Sequence, residues 1–133
     1  RFFSHEELLD VIAVSDLYVH AADAEIEAIS CIEAFSGGLV PVIANSPKSA
    51  TPQFALCDES LFEAGNSRDL AARIDYWITH EQRRRKMEIV YSEHGKQYSL
   101  DACVRQMEDM FETAIEEKRQ EQRVLVREER ANG

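Results

Sequence analysis

Residues 16–45 place the tightest limit on what this chain can fold into. A short apolar run, Leu17-Tyr18-Val19-His20, leads into a segment with Ile26, Ile29, Ile32 and Phe35 at three-residue spacing. Gly37-Gly38 interrupts it, and a second apolar run follows, Leu39-Val40-Pro41-Val42-Ile43-Ala44. Strand, amphipathic helix, glycine stop and buried strand form the local order of an open α/β sheet. Asp23 predicts the N-cap of a helix over 23–36, and Gly37-Gly38 its left-handed end. Ligands in such sheets bind beyond the carboxyl ends of the strands, beside the N-termini of the following helices. On this reading Glu25 opens the helix, and Glu33 lies about 12 Å further along its axis. That separation is too great for one metal ion, but it suits the two ends of an extended ligand.

The flanking sequence extends the pattern. Ser4 with Glu7 is a capping box that predicts a helix over 5–14. Pro41 donates no ladder hydrogen bond, which places it at the start of its strand. Residues 45–52 read as a loop, 53–56 as one helical turn, and Leu61-Phe62 as a short edge strand. Asn66 with Asp69 restarts a helix through Leu70, Ile74, Trp77 and Ile78. Thr79 with Gln82 offers a second capping box for a helix over 81–94. A last helix over 98–117 aligns Leu100, Val104, Met107, Phe111 and Ala114. From Lys118 charges of both signs recur at helical spacing, which predicts a solvated helical extension over 118–133 beside a main domain over 1–117.

Composition excludes several classes. The chain has 133 residues, the usual size of one domain, and a net charge of -10, where a nucleic-acid partner calls for a basic face. Cys31, Cys57 and Cys103 match neither a disulfide framework nor a zinc pattern, which favours a reducing, cytoplasmic setting. No apolar run approaches the length that spans a bilayer. The opening Arg1-Phe2-Phe3 lacks an initiator methionine, so we expect a segment of a longer protein.

Among residues able to do chemistry, Glu25 and Glu33 are either ligand-gripping acids or solvated glutamates, and Glu27 reads as solvated. Amides of residues 25–28 at a helix N-terminus favour a phosphate, although Asp23, Glu25 and Glu27 oppose one. Lys48 is the nearest cation in sequence and reads as a surface residue. His20 ends a strand on the ligand-facing side, as a structural or rim group or as a substrate contact. His5 and His94 read as surface residues. Ser30-Cys31 lies within a helix rather than at a nucleophile elbow. Arg83-Arg84-Arg85-Lys86, the one basic run, reads as a hydrated helix face. Trp77, Tyr76 and Phe111 read as core or rim packing. No metal site or cofactor is expected.

The segment Asp16-Leu17-Tyr18-Val19, then Glu25 and Glu33 with seven residues between, then Glu33-Ala34-Phe35-Ser36-Gly37-Gly38-Leu39-Val40-Pro41-Val42-Ile43-Ala44, resembles the donor-binding core of retaining glycosyltransferases of family 4. The likeness continues through Leu70-Ala71-Ala72-Arg73-Ile74 and the helix opening at Tyr98-Ser99. It implies a partial Rossmann-like parallel sheet with flanking helices from the C-terminal domain of a GT-B fold. It also implies transfer of a sugar from a UDP- or GDP-sugar to an acceptor hydroxyl with retention of configuration. By the resemblance, Glu25 holds sugar hydroxyls, Glu33 holds the ribose hydroxyls, and the amides of Ile26, Glu27 and Ala28 approach the diphosphate. The family places Gly-Phe-Gly where this chain has Ile26-Glu27-Ala28. Its cationic groups and acceptor domain come from sequence upstream, so the segment alone is expected to be inactive. Ser46-Pro47-Lys48-Ser49-Ala50-Thr51 resembles bacterial members that act on lipid or polysaccharide acceptors, which implies a parent peripheral to the inner face of the cell membrane.

Two other readings stay open. One is a non-catalytic sugar-nucleotide-binding module, and the other an interaction domain using the charged extension as a partner helix. An exposed sheet edge is also expected to favour oligomers.

Overall fold

The computed structural model describes residues 3–132, with side chains through residue 124. Arg1 and Phe2 lie outside the described residues, as do the side chains of Leu125, Val126 and the Arg127–Arg130 cluster. Two compact units divide at Lys96 and Gln97.

The first unit holds α1 (His5–Ala13), β1 (Leu17–His20), α2 (Ile29–Ser36), β2 (Val40–Asn45), β3 (Leu61–Glu63), α3 (Ser67–Thr79) and α4 (Glu81–Gly95). The strands form one parallel sheet in the order β1-β2-β3, with Leu17 opposite Val40 and Ile43 opposite Leu61. Val40 to Ala44 are all buried, as a parallel strand covered on both faces requires. Pro41 is therefore inside the central strand, second from its start. It is tolerated there because β3 pairs only with Ile43 to Asn45, leaving Pro41 a neighbour on one side.

Local chemistry explains the element ends. Ser4 Oγ accepts from the Glu7 amide at 3.2 Å while Glu7 Oε2 accepts from the Ser4 amide at 2.9 Å, closing the capping box. Asn66 Oδ1 accepts from the amides of Arg68 and Asp69, each at 3.1 Å, and so starts α3. The second expected capping box does not form. Thr79 Oγ1 donates instead to the Asp75 carbonyl at 2.7 Å, and α4 begins after His80 without a side-chain cap. The left-handed residue after α2 is Gly38 (φ 95°), while Gly37 keeps helical angles.

Ile12, Ala34 and Leu39 form a cluster against which Leu8 and Tyr18 pack. Trp77 is fully buried with its indole N–H on the Glu59 carbonyl at 3.0 Å. Tyr91 is also fully buried; it donates to Ser60 Oγ and accepts from the Leu56 amide, both at 2.9 Å, and burial pushes its hydroxyl up to about 12. The basic run of α4 is not a uniformly hydrated face. Arg84 is buried, and its Nη1 reaches Asp16 Oδ1 at 2.8 Å and Glu88 Oε1 at 3.3 Å, tying α4 to the entry of β1. Arg83 pairs with Glu59 at 2.9 Å.

The second unit contains α5 (Leu100–Asn132), one continuous 33-residue helix. Leu100, Val104, Met107, Phe111 and Ile115 recur along it and are exposed. Phe111 is thus not a core residue. Among the described residues, no helix is long and apolar enough to cross a membrane.

Candidate functional site

Parallel pairing brings the carboxyl ends of β1 and β2 to one rim, and each opens into a loop. The first loop spans 21–28 and the second 46–50. Sequence reasoning placed the first loop inside a helix starting at Asp23. The helix starts at Ile29 instead, after Ala28 in the left-handed region (φ 53°). Tertiary hydrogen bonding overrides the helical propensity of this alanine-rich stretch. Glu25 forms a parallel bridge with Ser49, and its carbonyl accepts from the Ala50 amide at 2.9 Å. Buried Ser46 adds a second tie, with Oγ 2.6 Å from the Asp23 carbonyl and 2.9 Å from Asp23 Oδ1. Glu25 and Glu33 therefore do not share a helix.

Glu25 curls back on its own backbone. Its Oε1 accepts from the Ile26 amide at 2.8 Å and the Glu27 amide at 3.3 Å. These amides, foremost that of Ile26, then those of Glu27 and Ala28, hold the carboxyl below its ordinary range, with a further contribution from nearby His20. The N–H groups expected to face a helix-terminal anion thus face an anion already, supplied by the same loop. Asp23 is likewise held low, first by the Ser46 hydroxyl and then by Lys48, whose Nζ lies 3.2 Å from Asp23 Oδ2.

Ala24, Glu25, Ile26, Glu27 and Lys48 line an open pocket of ≈ 500 Å³. Lys48, a loop lysine by sequence, is exposed as expected, yet it shares this lining with Glu25, the acid expected to bind a ligand. Ile26 is 88% exposed at the same mouth, while Ala28 is buried. Glu33 lies outside this lining. It is half-buried on α2, with Oε1 3.9 Å from His5 Nδ1. The Tyr18 hydroxyl, on the strand between α1 and α2 in sequence, is raised above its ordinary value first by burial.

Tyr18 is a site residue that sequence reasoning passed over, although its position two before His20 puts both on the same strand face. Its hydroxyl lies 2.9 Å from Ser30 Oγ and 3.1 Å from His20 Nδ1. His20 is 7% exposed, and its Nε2 is buried without a hydrogen-bond partner. Stranding such an atom costs about 1–3 kcal/mol.

Burial pushes the Cys31 thiol up to about 12, so it stays protonated at neutral pH. Among the described residues, no group of three or more His, Cys, Asp or Glu side chains is placed to hold a metal ion.

Comparison with known proteins bears on the family and the fold. Comparison with curated proteins gives no significant match. A solved structure, the catalytic domain of cholesterol-alpha-glucosyltransferase from Helicobacter pylori, is similar at 50% sequence identity with a TM-score of 0.71. The match covers 74% of this chain and 62% of that one, so this chain spans under two thirds of that domain. The parallel sheet with its flanking helices matches part of a GT-B glycosyltransferase catalytic domain. The family model for glycosyl transferases group 1 matches residues 1–90, which include the whole of the rim described above. The chain belongs to the glycosyl transferases group 1 family.

Proposed function

We propose that this chain supplies the donor-binding part of a retaining glycosyltransferase of family 4. The observation that carries the reading is the ionised Glu25 carboxylate fixed at a pocket beside Lys48, on the rim where parallel sheets bind ligands. The donor is a UDP- or GDP-sugar. Glu25 takes hydroxyls of the transferred sugar, and Glu33 takes the ribose hydroxyls from its place on α2. A carboxylate suits both tasks, because it offers strong, directed acceptors to paired hydroxyls.

Donor binding exchanges partners in the 21–28 loop. The amides of Ile26, Glu27 and Ala28, now turned toward Glu25, pass to the diphosphate, and Glu25 turns to the sugar. Lys48 supplies one positive charge against the leaving diphosphate. Asp23, already paired with Lys48, offsets part of that charge, so cations from outside this chain complete the neutralisation. For that reason the segment is inactive by itself.

The α-linked product in the similar protein's name supports retention, since common glucosyl nucleotides are themselves α-linked. The cholesterol in that name supports a lipid hydroxyl as acceptor, bound by a domain outside this chain; a lipid acceptor in turn suits a parent at the cytoplasmic face of a membrane. Residues 1–117 then form the donor-binding part and 118–133 an extension. Alone, the segment associates through the free edge of β1.

Titration calorimetry of the full-length protein with UDP-glucose and GDP-mannose tests the reading. Glu25→Ala and Glu33→Ala each weaken the preferred donor about 10- to 100-fold, the worth of one hydrogen bond to a charged group. Wild-type donor affinity in both variants would overturn it. A second reading, a sugar-nucleotide-binding module without turnover, is favoured by Ile26-Glu27-Ala28 in place of the family's Gly-Phe-Gly. Donor binding without any sugar transfer by the full-length protein would select it.

A further inference from the structure

The loop that bears Glu25 is braced at both ends by one chain of hydrogen bonds. His20 is the last residue before it, and Ser30 lies in the first turn of α2 beyond it. Tyr18 joins them, with its hydroxyl 3.1 Å from His20 Nδ1 and 2.9 Å from Ser30 Oγ. The middle of the loop is pinned separately to Ser49 and Ala50. We propose that His20 is a positioning residue for the Glu25 loop, acting through the Tyr18 hydroxyl and Ser30 to fix the two ends of the segment from which Glu25 turns to the donor.

The alternative is a histidine that merely fills the core. Its buried, unpartnered Nε2 speaks against that, because an apolar ring would fill the same space without stranding a polar atom. A residue kept at a cost to stability is what functional sites show. Nothing in this pattern requires His20 to touch the donor, so it belongs behind the binding residues rather than among them.

The inference rests on the donor-site reading of Glu25, and the experiment separates the two. In the full-length protein, donor affinity is measured by calorimetry with UDP-glucose and GDP-mannose, and folding by thermal melting. His20→Phe weakens the preferred donor about tenfold while its Tm holds or rises. His20→Asn, which returns a polar atom near the position of Nδ1, stays within about twofold of wild type. Tyr18→Phe matches His20→Phe, and the pair combined is no worse than either, as expected for one shared chain. In a Glu25→Ala background, His20→Phe causes no further loss. Losses that multiply in that background, or a His20→Phe protein that binds donor like wild type, would overturn the positioning role while leaving Glu25 in place. Wild-type affinity in Glu25→Ala would remove the donor-site reading, and this inference with it. Should His20→Phe fail to fold, Tyr18→Phe, which removes a single oxygen, carries the same comparison.

Discussion

Ala28 shows how a single residue records the backbone demand of this site. Its φ of 53° lies where side chains with a Cβ are strained, and the family resemblance places a glycine there. This chain therefore takes a conformation that glycine adopts at little cost with a residue that does not. Ala28→Val should lower Tm by several degrees, because a branched Cβ tolerates this region least, whereas Ala28→Gly should fold normally; thermal melting distinguishes them. Asp23 and Glu25 make a second residue-scale prediction. Both carboxyls are held below their ordinary values of 3.8 and 4.5, so their ionised forms favour the folded state. That stabilisation is present above those values and is lost as pH falls through the lowered ones. Urea midpoints measured across the acid range should therefore decline less steeply in Asp23→Asn and Glu25→Gln than in the wild type.

Several elements were legible in sequence from local signals, although the equally local Thr79–Gln82 capping box does not form. The capping box at Ser4 and Glu7 and the Asn66 cap each required only a few neighbouring residues. The three-residue spacing reached too far, since Ile26 lies in the loop and is exposed. The start of α2 was not legible, because what ends the helix there is a bridge to Ser49, across a whole strand. The same limit hid Arg84, whose burial depends on Asp16 in a distant segment. Glu25 and Lys48 could be named as candidates, but not as members of one pocket, since strand pairing brings their loops together. At this scale α4 gives the sharpest test. A Cβ on Gly95 would come within 2.8 Å of the Ser36 Cα, so the end of α4 meets the end of α2 only if residue 95 has no side chain. Gly95→Ala should cost about 1–3 kcal/mol, read as a lowered denaturant midpoint with an unchanged slope.

For the molecule as a whole, the sheet is asymmetric in how it ends. β1 and β3 are both edge strands among the described residues, but β3 has three residues, whereas β1 has four and leaves Val19 exposed. Unpaired strand edges template association. Sedimentation of the 133-residue chain should show concentration-dependent oligomers that Val19→Lys reduces, while deletion of residues 118–133 leaves them. Association that vanishes with that deletion instead would assign it to α5.

The backbone tie between the first loop and Ser49–Ala50 has a consequence for variation. A turn fastened through its main chain does not depend on the side chains at its tip. Positions 26 and 27 are accordingly free to change while Glu25 stays where it is. Libraries randomised at Ile26 and Glu27 should yield folded proteins with altered sugar preference, making this tip the place to retune selectivity without rebuilding the scaffold.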